Sequence, residues 1–513
     1  MRDRNRREFL ADVGRGMLSA SVGAAVAADL ELAPAWAGEA AEALTFGKLE
    51  PLVALMQETP AAKLMPLLID KIKAGTDLKT LTAAGALANA RTFGGHDYDG
   101  YHALMALAPA YQMAAELPDK QRPLPVLKVL YRNTNRIQQE GGRKHEALHP
   151  IKAAELPKDR DGGELLREAT RRRDQQGAEA TFAALARGPI GEAFNHLQFE
   201  IEDEVDVHRV VLSWRSWVLR DITGEEYAHT LLRQSVRYCV DAEKNTFERK
   251  RTPAIRTVLP KLLDQYRLAG RKPGTRKAED KWIEHLAQTI YGAGRERAAD
   301  AVAAALADGM APAAVGEAIS LAANRLVLCD PGRKRVEGDK PIGSVHGASV
   351  GVHASDSANA WRNIAGVSNA RNTFASLICG AFHTAGQNGG QHKEPYPTAE
   401  HLAKIETKEA GRLLQLAEAA IKEKNQAAAA ALVHAYGKQG YPPRRAFDLL
   451  LRYAVSEDGS LHAEKYYRTV TEEFAATRPA FRWRHLVALA RVTASEYGRT
   501  APGYAEARRL LKV

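Results

Sequence analysis

The chain has little cysteine: three residues in 513, Cys239, Cys329 and Cys379. That is too few for a disulfide scaffold, so any bound metal must be held mainly by histidine and carboxylate. Aromatic residues make up only 7%. After residue 40 no apolar run approaches the roughly 18 residues needed to cross a bilayer. Alternating β-branched segments are missing, which excludes a βαβ fold. There is no P-loop, no dinucleotide fingerprint and no nucleic-acid motif with interleaved aromatics, so no nucleic-acid partner is expected. Charge is abundant and nearly balanced, Lys+Arg 72 against Asp+Glu 62, for a net +10.

The first residues carry an address. Asn5-Arg6-Arg7-Glu8-Phe9-Leu10 resembles the twin-arginine export signal. An apolar run from Met17 to Leu30 comes next, and Ala35-Trp36-Ala37 supplies a small-x-small cleavage site. This resemblance implies a signal peptide at 1–37, passage through the twin-arginine translocase, and a mature bacterial protein that is periplasmic or secreted. The signal holds five Arg and five acids, so the mature chain keeps the whole +10.

Beyond residue 40 alanine and leucine dominate, with apolar residues returning at i, i+3 and i+4 and with Pro and Gly between segments. The expectation is an all-α chain of imperfect helical repeats packed as a bundle or toroid-like array. Four stretches share one plan: Ala74 to Ala108, Arg187 to Trp214, Asp308 to Trp361, and Gln439 to Tyr467. In each, a helix ends near glycine, an Ala/Leu-rich helix follows, and the next helix starts near a histidine. Those histidines are His102, His208, His353 and His462. The helix after them again offers a histidine in three of the four: His229, His383 and His485.

Between the second and third repeats, residues 249–281 hold eleven Lys/Arg and three acids. We read that stretch as a solvated basic connector between an N-terminal half, 38–248, and a C-terminal half, 282–513.

Two motifs invite catalytic readings. His145-Glu146-Ala147-Leu148-His149 spells H-E-x-x-H, the zinc-hydrolase pattern in which two histidines one helical turn apart bind the ion. Pro150 comes at once after it, which disfavours helix at His149. Gly347-Ala348-Ser349-Val350-Gly351 spells the G-x-S-x-G elbow, which needs a parallel sheet that this chain lacks. It reads better as a glycine-rich entry to the His353 helix.

The recurring histidines are the stronger candidates, because equivalent positions in a closed array face a common interior. His102, His208, His353 and His462 are the first candidates for ligand or acid–base roles. His229, His383, His485, His346 and His96 are further metal ligands. The implied cofactor is a transition metal such as Fe, Cu or Zn, and Arg209, Arg362 and Arg452 are candidates to hold an acidic group of a small-molecule substrate. Gly351-Val352-His353-Ala354 and Gly100-Tyr101-His102-Ala103, helix starts that come after Ala/Leu-rich helices, resemble those of the questin oxidase-like family. The resemblance implies a largely helical fold and oxidation of polycyclic aromatic substrates. The functional expectation is an exported, metal-dependent oxidoreductase acting on a small organic molecule. The alternatives are a helical-repeat scaffold with scattered histidines, and a metallohydrolase centred on His145, Glu146 and His149.

Overall fold

A computed structural model of the protein describes residues 43–248, 252–345 and 347–513. The expected signal peptide and His346 lie outside the described residues. Among those residues there are 23 α-helices and no strand beyond isolated bridges, which makes the fold all-α, as the periodicity indicates. No described helix is long and apolar enough to cross a membrane.

Twelve helices form four consecutive triplets that match the repeat. The first is α1 (Leu78–Phe93), α2 (Tyr98–Ala114) and α3 (Pro123–Gln139). The second is α4 (Ile190–Ile201), α5 (Val207–Thr223) and α6 (Ala228–Glu248). The third is α7 (Pro312–Leu328), α8 (Val350–Val367) and α9 (Ala370–Ala385). The fourth is α10 (Arg444–Ser456), α11 (His462–Ala476) and α12 (Trp483–Glu496). Within each triplet every helix touches the other two.

The middle helices make the centre. α2 packs on α5, α5 on α8, α8 on α11, and α11 back on α2. This closed ring takes two helices from each half of the chain, and Leu44–Val513 forms one compact unit. A helix surrounded by other helices must be apolar all round rather than on one stripe. Accordingly every residue from Gly100 to Ala110 in α2 and from Ala354 to Trp361 in α8 is buried.

The starts of these helices are set locally. Asp97 accepts from the Gly100 N–H (2.7 Å), Asp206 from Arg209 N–H (2.9 Å) and Ser349 from Val352 N–H (3.4 Å). Each is an N-cap that satisfies an orphan donor of the first turn. The G-x-S-x-G stretch therefore serves as the capped entry to α8. α11 starts differently: Ser460 (φ 47°) and Leu461 (φ 66°) are both left-handed, a conformation costly for non-glycine residues. That strained turn puts His462 at the first position of its helix.

Close approach requires glycine where α7 crosses α8: a Cβ on Gly351 would lie 2.7 Å from the backbone nitrogen of Val327. In the first triplet a pair of asparagines does the fastening. Asn89 donates to the Gly100 carbonyl (2.7 Å) and to Asn133 Oδ1 (2.7 Å), and Asn133 donates to the Gly85 carbonyl (3.0 Å). All three bonds lie in the interior and tie α1, α2 and α3 together.

The basic connector is more structured than its charge suggests. It contains the helix Ile255–Gln265, whose Ile255, Leu259, Leu262 and Leu263 are buried against α9 and the helix Arg295–Ala307. The apolar stripe at i, i+4, i+7 and i+8 outweighs the surrounding charge. Lys261, Arg267, Arg271 and Lys272 are exposed, and Arg256 pairs with Glu243. Replacing Gly351 by alanine should destabilise the protein by about 1–3 kcal/mol, the usual cost of overpacking. Urea unfolding followed by circular dichroism reads that loss, and an unchanged midpoint would mean that the α7–α8 crossing can yield.

Candidate functional site

The ring of middle helices places one histidine from each repeat at the same end. Ring centroids are 5.0 Å apart for His102–His208, 5.6 Å for His208–His353, 5.3 Å for His353–His462 and 5.1 Å for His462–His102. The circuit runs in the same order as the helices that carry it.

Hydrogen bonds define the ring nitrogens. His102 Nδ1 lies 2.7 Å from the Tyr98 carbonyl and His462 Nδ1 3.0 Å from the Ser460 carbonyl. A carbonyl only accepts, so each Nδ1 carries the proton and each Nε2 presents a lone pair. His462 Nε2 lies 3.2 Å from His353 Nε2, which makes His353 the donor in that contact. Among the described residues, the buried Nε2 atoms of His102 and His208 have no hydrogen-bond partner. Burial, followed by the charge of Lys465, pushes the imidazoles of His102 and His462 far below their usual range, so both are neutral. Such a cluster offers lone pairs to a cation or a proton and has few ways to satisfy them internally.

One carboxylate lies beside the cluster. Asp206 Oδ1 lies 3.8 Å from His208 Nδ1 and also accepts from the Tyr238 hydroxyl (2.9 Å). Burial alone would raise this carboxyl. The neighbouring His208, the Arg209 backbone N–H and Tyr238 outweigh it and hold the group below the ordinary carboxylate range. Four other acids near the histidines are spoken for: Asp97 by Arg136 (2.6 Å), Asp203 by Arg171 (2.6 Å), Glu202 by Arg371, and Asp458 by Arg132. Tyr98 and Tyr101 wall the site, with ring centroids 4.2 Å and 5.1 Å from His102. Half-exposed Tyr98 stands on the solvent side.

The remaining expected ligands are not brought to this circuit. His229 stacks on Phe182 (5.7 Å), His383 accepts from the Trp361 indole N–H (3.4 Å), and His485 meets the Thr477 hydroxyl (3.3 Å). His96 pairs with Asp241. The third-helix histidines His229, His383 and His485 are held by local packing instead, His229 against Phe182 of the helix Gln175–Leu185, because the third helix packs outside the ring.

Nor do the three arginines come to the cluster. Arg209 donates to the carbonyls of Glu200 (3.1 Å) and Cys239 (3.2 Å), and Arg362 to Glu473 (2.6 Å). Arg452 is an exposed partner of Glu418 (3.3 Å). The H-E-x-x-H segment forms no helical turn: His145 closes a 3-10 turn and Glu146 is extended (φ −74°, ψ 125°). Glu146 is held by Arg91 (3.1 Å). All three cysteines are free and buried.

As placed, no group of three or more His, Cys, Asp or Glu among the described residues is closed enough to hold a metal ion. Sequence reasoning misses Tyr238 and the buried Lys465. The one sign for Lys465 is its spacing, three residues after His462, which matches Asp356 three after His353. Comparison with known family models, with curated proteins and with solved structures finds no match for the chain.

The core histidines make the fold acid-sensitive. Burial pushes His229 and His485 down to about 4 from 6.5. The unfolded imidazoles take up protons below about 6.5 and the folded ones do not. Their contribution is therefore intact above pH 6.5 and falls away as pH drops toward 4. Scanning calorimetry between pH 4 and 7 should show the melting temperature decreasing over that window. His485→Gln should flatten the acid limb, whereas an unaltered slope would show that His485 does not contribute.

Proposed function

We propose that His102, His208, His353 and His462 bind one transition-metal ion, with Fe, Cu and Zn as the candidates, and that the protein is an exported metal-dependent oxidoreductase acting on a small organic molecule. The observation that carries this reading is the closed circuit of four imidazoles with buried, partnerless Nε2 atoms on His102 and His208. Leaving a buried acceptor unsatisfied costs about 1–3 kcal/mol each, and a fold that collects several at one point has an occupant in view.

Size supports an ion. With metal–nitrogen bonds of about 2.0–2.1 Å, neighbouring imidazoles on one four-coordinate ion have centroids about 4.5–5.3 Å apart. The circuit at 5.0–5.6 Å is open by a few tenths of an ångström, within reach of small χ rotations. The donor set fits as well: all nitrogen, with the Nδ1 protons of His102 and His462 held by backbone carbonyls, the outer-shell arrangement that fixes a ligating tautomer. Such an ion supplies redox or Lewis-acid chemistry.

The chain's own contribution is to position and enclose. His462 belongs both to the circuit and to the wall of a small cavity of about 40 Å³, lined mainly by apolar atoms of Tyr453, Ala454, Tyr466, Leu489 and Val492. The clustering is the opposite of what a scaffold with scattered, individually bonded histidines requires. The non-helical course of residues 145–149 removes the geometry that the hydrolase reading needs.

Elemental analysis of purified mature protein is the direct test, with about one equivalent of a transition metal expected. The double variant His102→Gln/His462→Gln should lose affinity by more than the roughly 10–100-fold typical of outer-shell partners, and Asp206→Asn should fall inside that range. His145→Gln should retain the metal. Protein that stays metal-free when refolded or expressed with each candidate ion would defeat the proposal.

A further inference from the structure

A second cavity, of about 230 Å³, lies outside the histidine circuit, and none of the four circuit histidines lines it. Leu321, Asn324, Arg325 and Leu328 recur at i, i+3, i+4 and i+7, so one face of α7 forms a wall. Glu284 and Gln288, at i and i+4 on the helix Asp280–Gly292, form another. Tyr396 adds to the lining and is fastened to the end of α7. Its N–H donates to the Leu328 carbonyl (2.8 Å), and the Arg491 guanidinium lies over its ring (4.0 Å to the centroid). Arg491 in turn donates to the carbonyls of Val327 (2.6 Å) and Leu328 (3.1 Å). The cavity is therefore preformed, which spares a ligand the cost of ordering its site.

The charges of the lining do not cancel. Arg484 pairs with Glu284 (2.7 Å), and Gln288 Nε2 also donates to that carboxylate (3.3 Å). Both members of the ion pair are partly exposed and mark the side open to solvent. Burial lowers the imidazole of His434, in the same lining, below its usual range, so it adds no charge at neutral pH. Arg325 lays its guanidinium over the Tyr291 ring (4.8 Å) and forms no ion pair among the described residues. It is left as the uncompensated charge of the lining.

Two buried atoms of the α7 wall have no hydrogen-bond partner among the described residues: Arg325 Nε, a donor, and Asn324 Oδ1, an acceptor. Buried polar groups in folded proteins are nearly always paired. Asn324 is sealed, at 2% exposure, beside the apolar side chains of Leu321 and Leu328. A ligand that completes this wall brings an anion, a hydrogen-bond donor and a rigid apolar body between them. The volume is below the roughly 300–1,000 Å³ of sites for drug-sized ligands, which limits the occupant to about one ring.

We propose that this cavity binds a small hydroxylated aromatic monocarboxylate, with its carboxylate on Arg325, its hydroxyl donating to Asn324 and its ring against Leu321, Leu328 and Tyr396. The site needs no metal and stands apart from the histidine reading.

Isothermal titration calorimetry on the purified mature protein tests it with three probes: 4-hydroxybenzoate, 4-hydroxybenzyl alcohol, which lacks the charge, and benzoate, which lacks the donor. Wild type should bind 4-hydroxybenzoate about tenfold tighter than the alcohol, the share of one charge-assisted hydrogen bond, and about threefold tighter than benzoate, the share of a neutral one. Arg325→Gln should abolish the first preference and Asn324→Leu the second, each leaving the other intact. Circular dichroism shows whether each variant folds, and where one does not, the wild-type preferences decide. Absence of 4-hydroxybenzoate binding, or equal affinity for the acid and the alcohol, overturns the proposal. So do preferences that survive in both folded variants, which would put the ligand elsewhere. Metal content enters none of these outcomes, so failure here leaves the histidine reading standing.

Discussion

Closure of four helices into a ring is the constraint on which the rest depends. α2, α5, α8 and α11 each touch two others of the set, so none can shift without moving the histidine at its start. The caps at those starts therefore do more than end loops. Asp97, Asp206 and Ser349 fix where three of the helices begin, and the left-handed pair Ser460–Leu461 fixes the fourth. Strain is tolerated at that last turn because packing on both sides over-determines it.

A centre made this way is polar in a place where most folds are apolar. Around it the protein satisfies buried charge with care: Glu179 is shared by Arg233 and Arg237, Glu473 is held by Arg362 and Asn359, and Arg91 is clasped by Glu50 and Gln57. In such buried pairs desolvation offsets most of the attraction. Against that background the open nitrogens of His102 and His208 stand out. They lie at the end of the ring where the four middle-helix histidines meet.

Much of this is legible in residues alone. Helical periodicity, the four-fold plan and the identity of the four middle-helix histidines come from spacing, because helix caps and apolar stripes are local signals. The third-helix histidines show where spacing stops informing. His229, His383 and His485 recur in three of the four repeats, yet periodicity does not say whether a helix lies inside a ring or outside it. The arginines depart from expectation for a related reason: a guanidinium reaches far, and its partner is chosen by whichever carboxylate or carbonyl the packing brings near. Lys465 shares its spacing with Asp356, but one lysine in a charged chain stands out only once its burial is known.

The sequence by itself determined the helices, their caps and the repeat that puts a histidine at each middle-helix start, since these depend on neighbours within a few residues. Only the tertiary structure decided that the four starts meet, with His102 joining His462 across 360 residues of chain. It also decided which acid lies beside them. Those facts depend on the closing contact between α2 and α11, and no local pattern encodes the distance between helices from opposite ends of a chain.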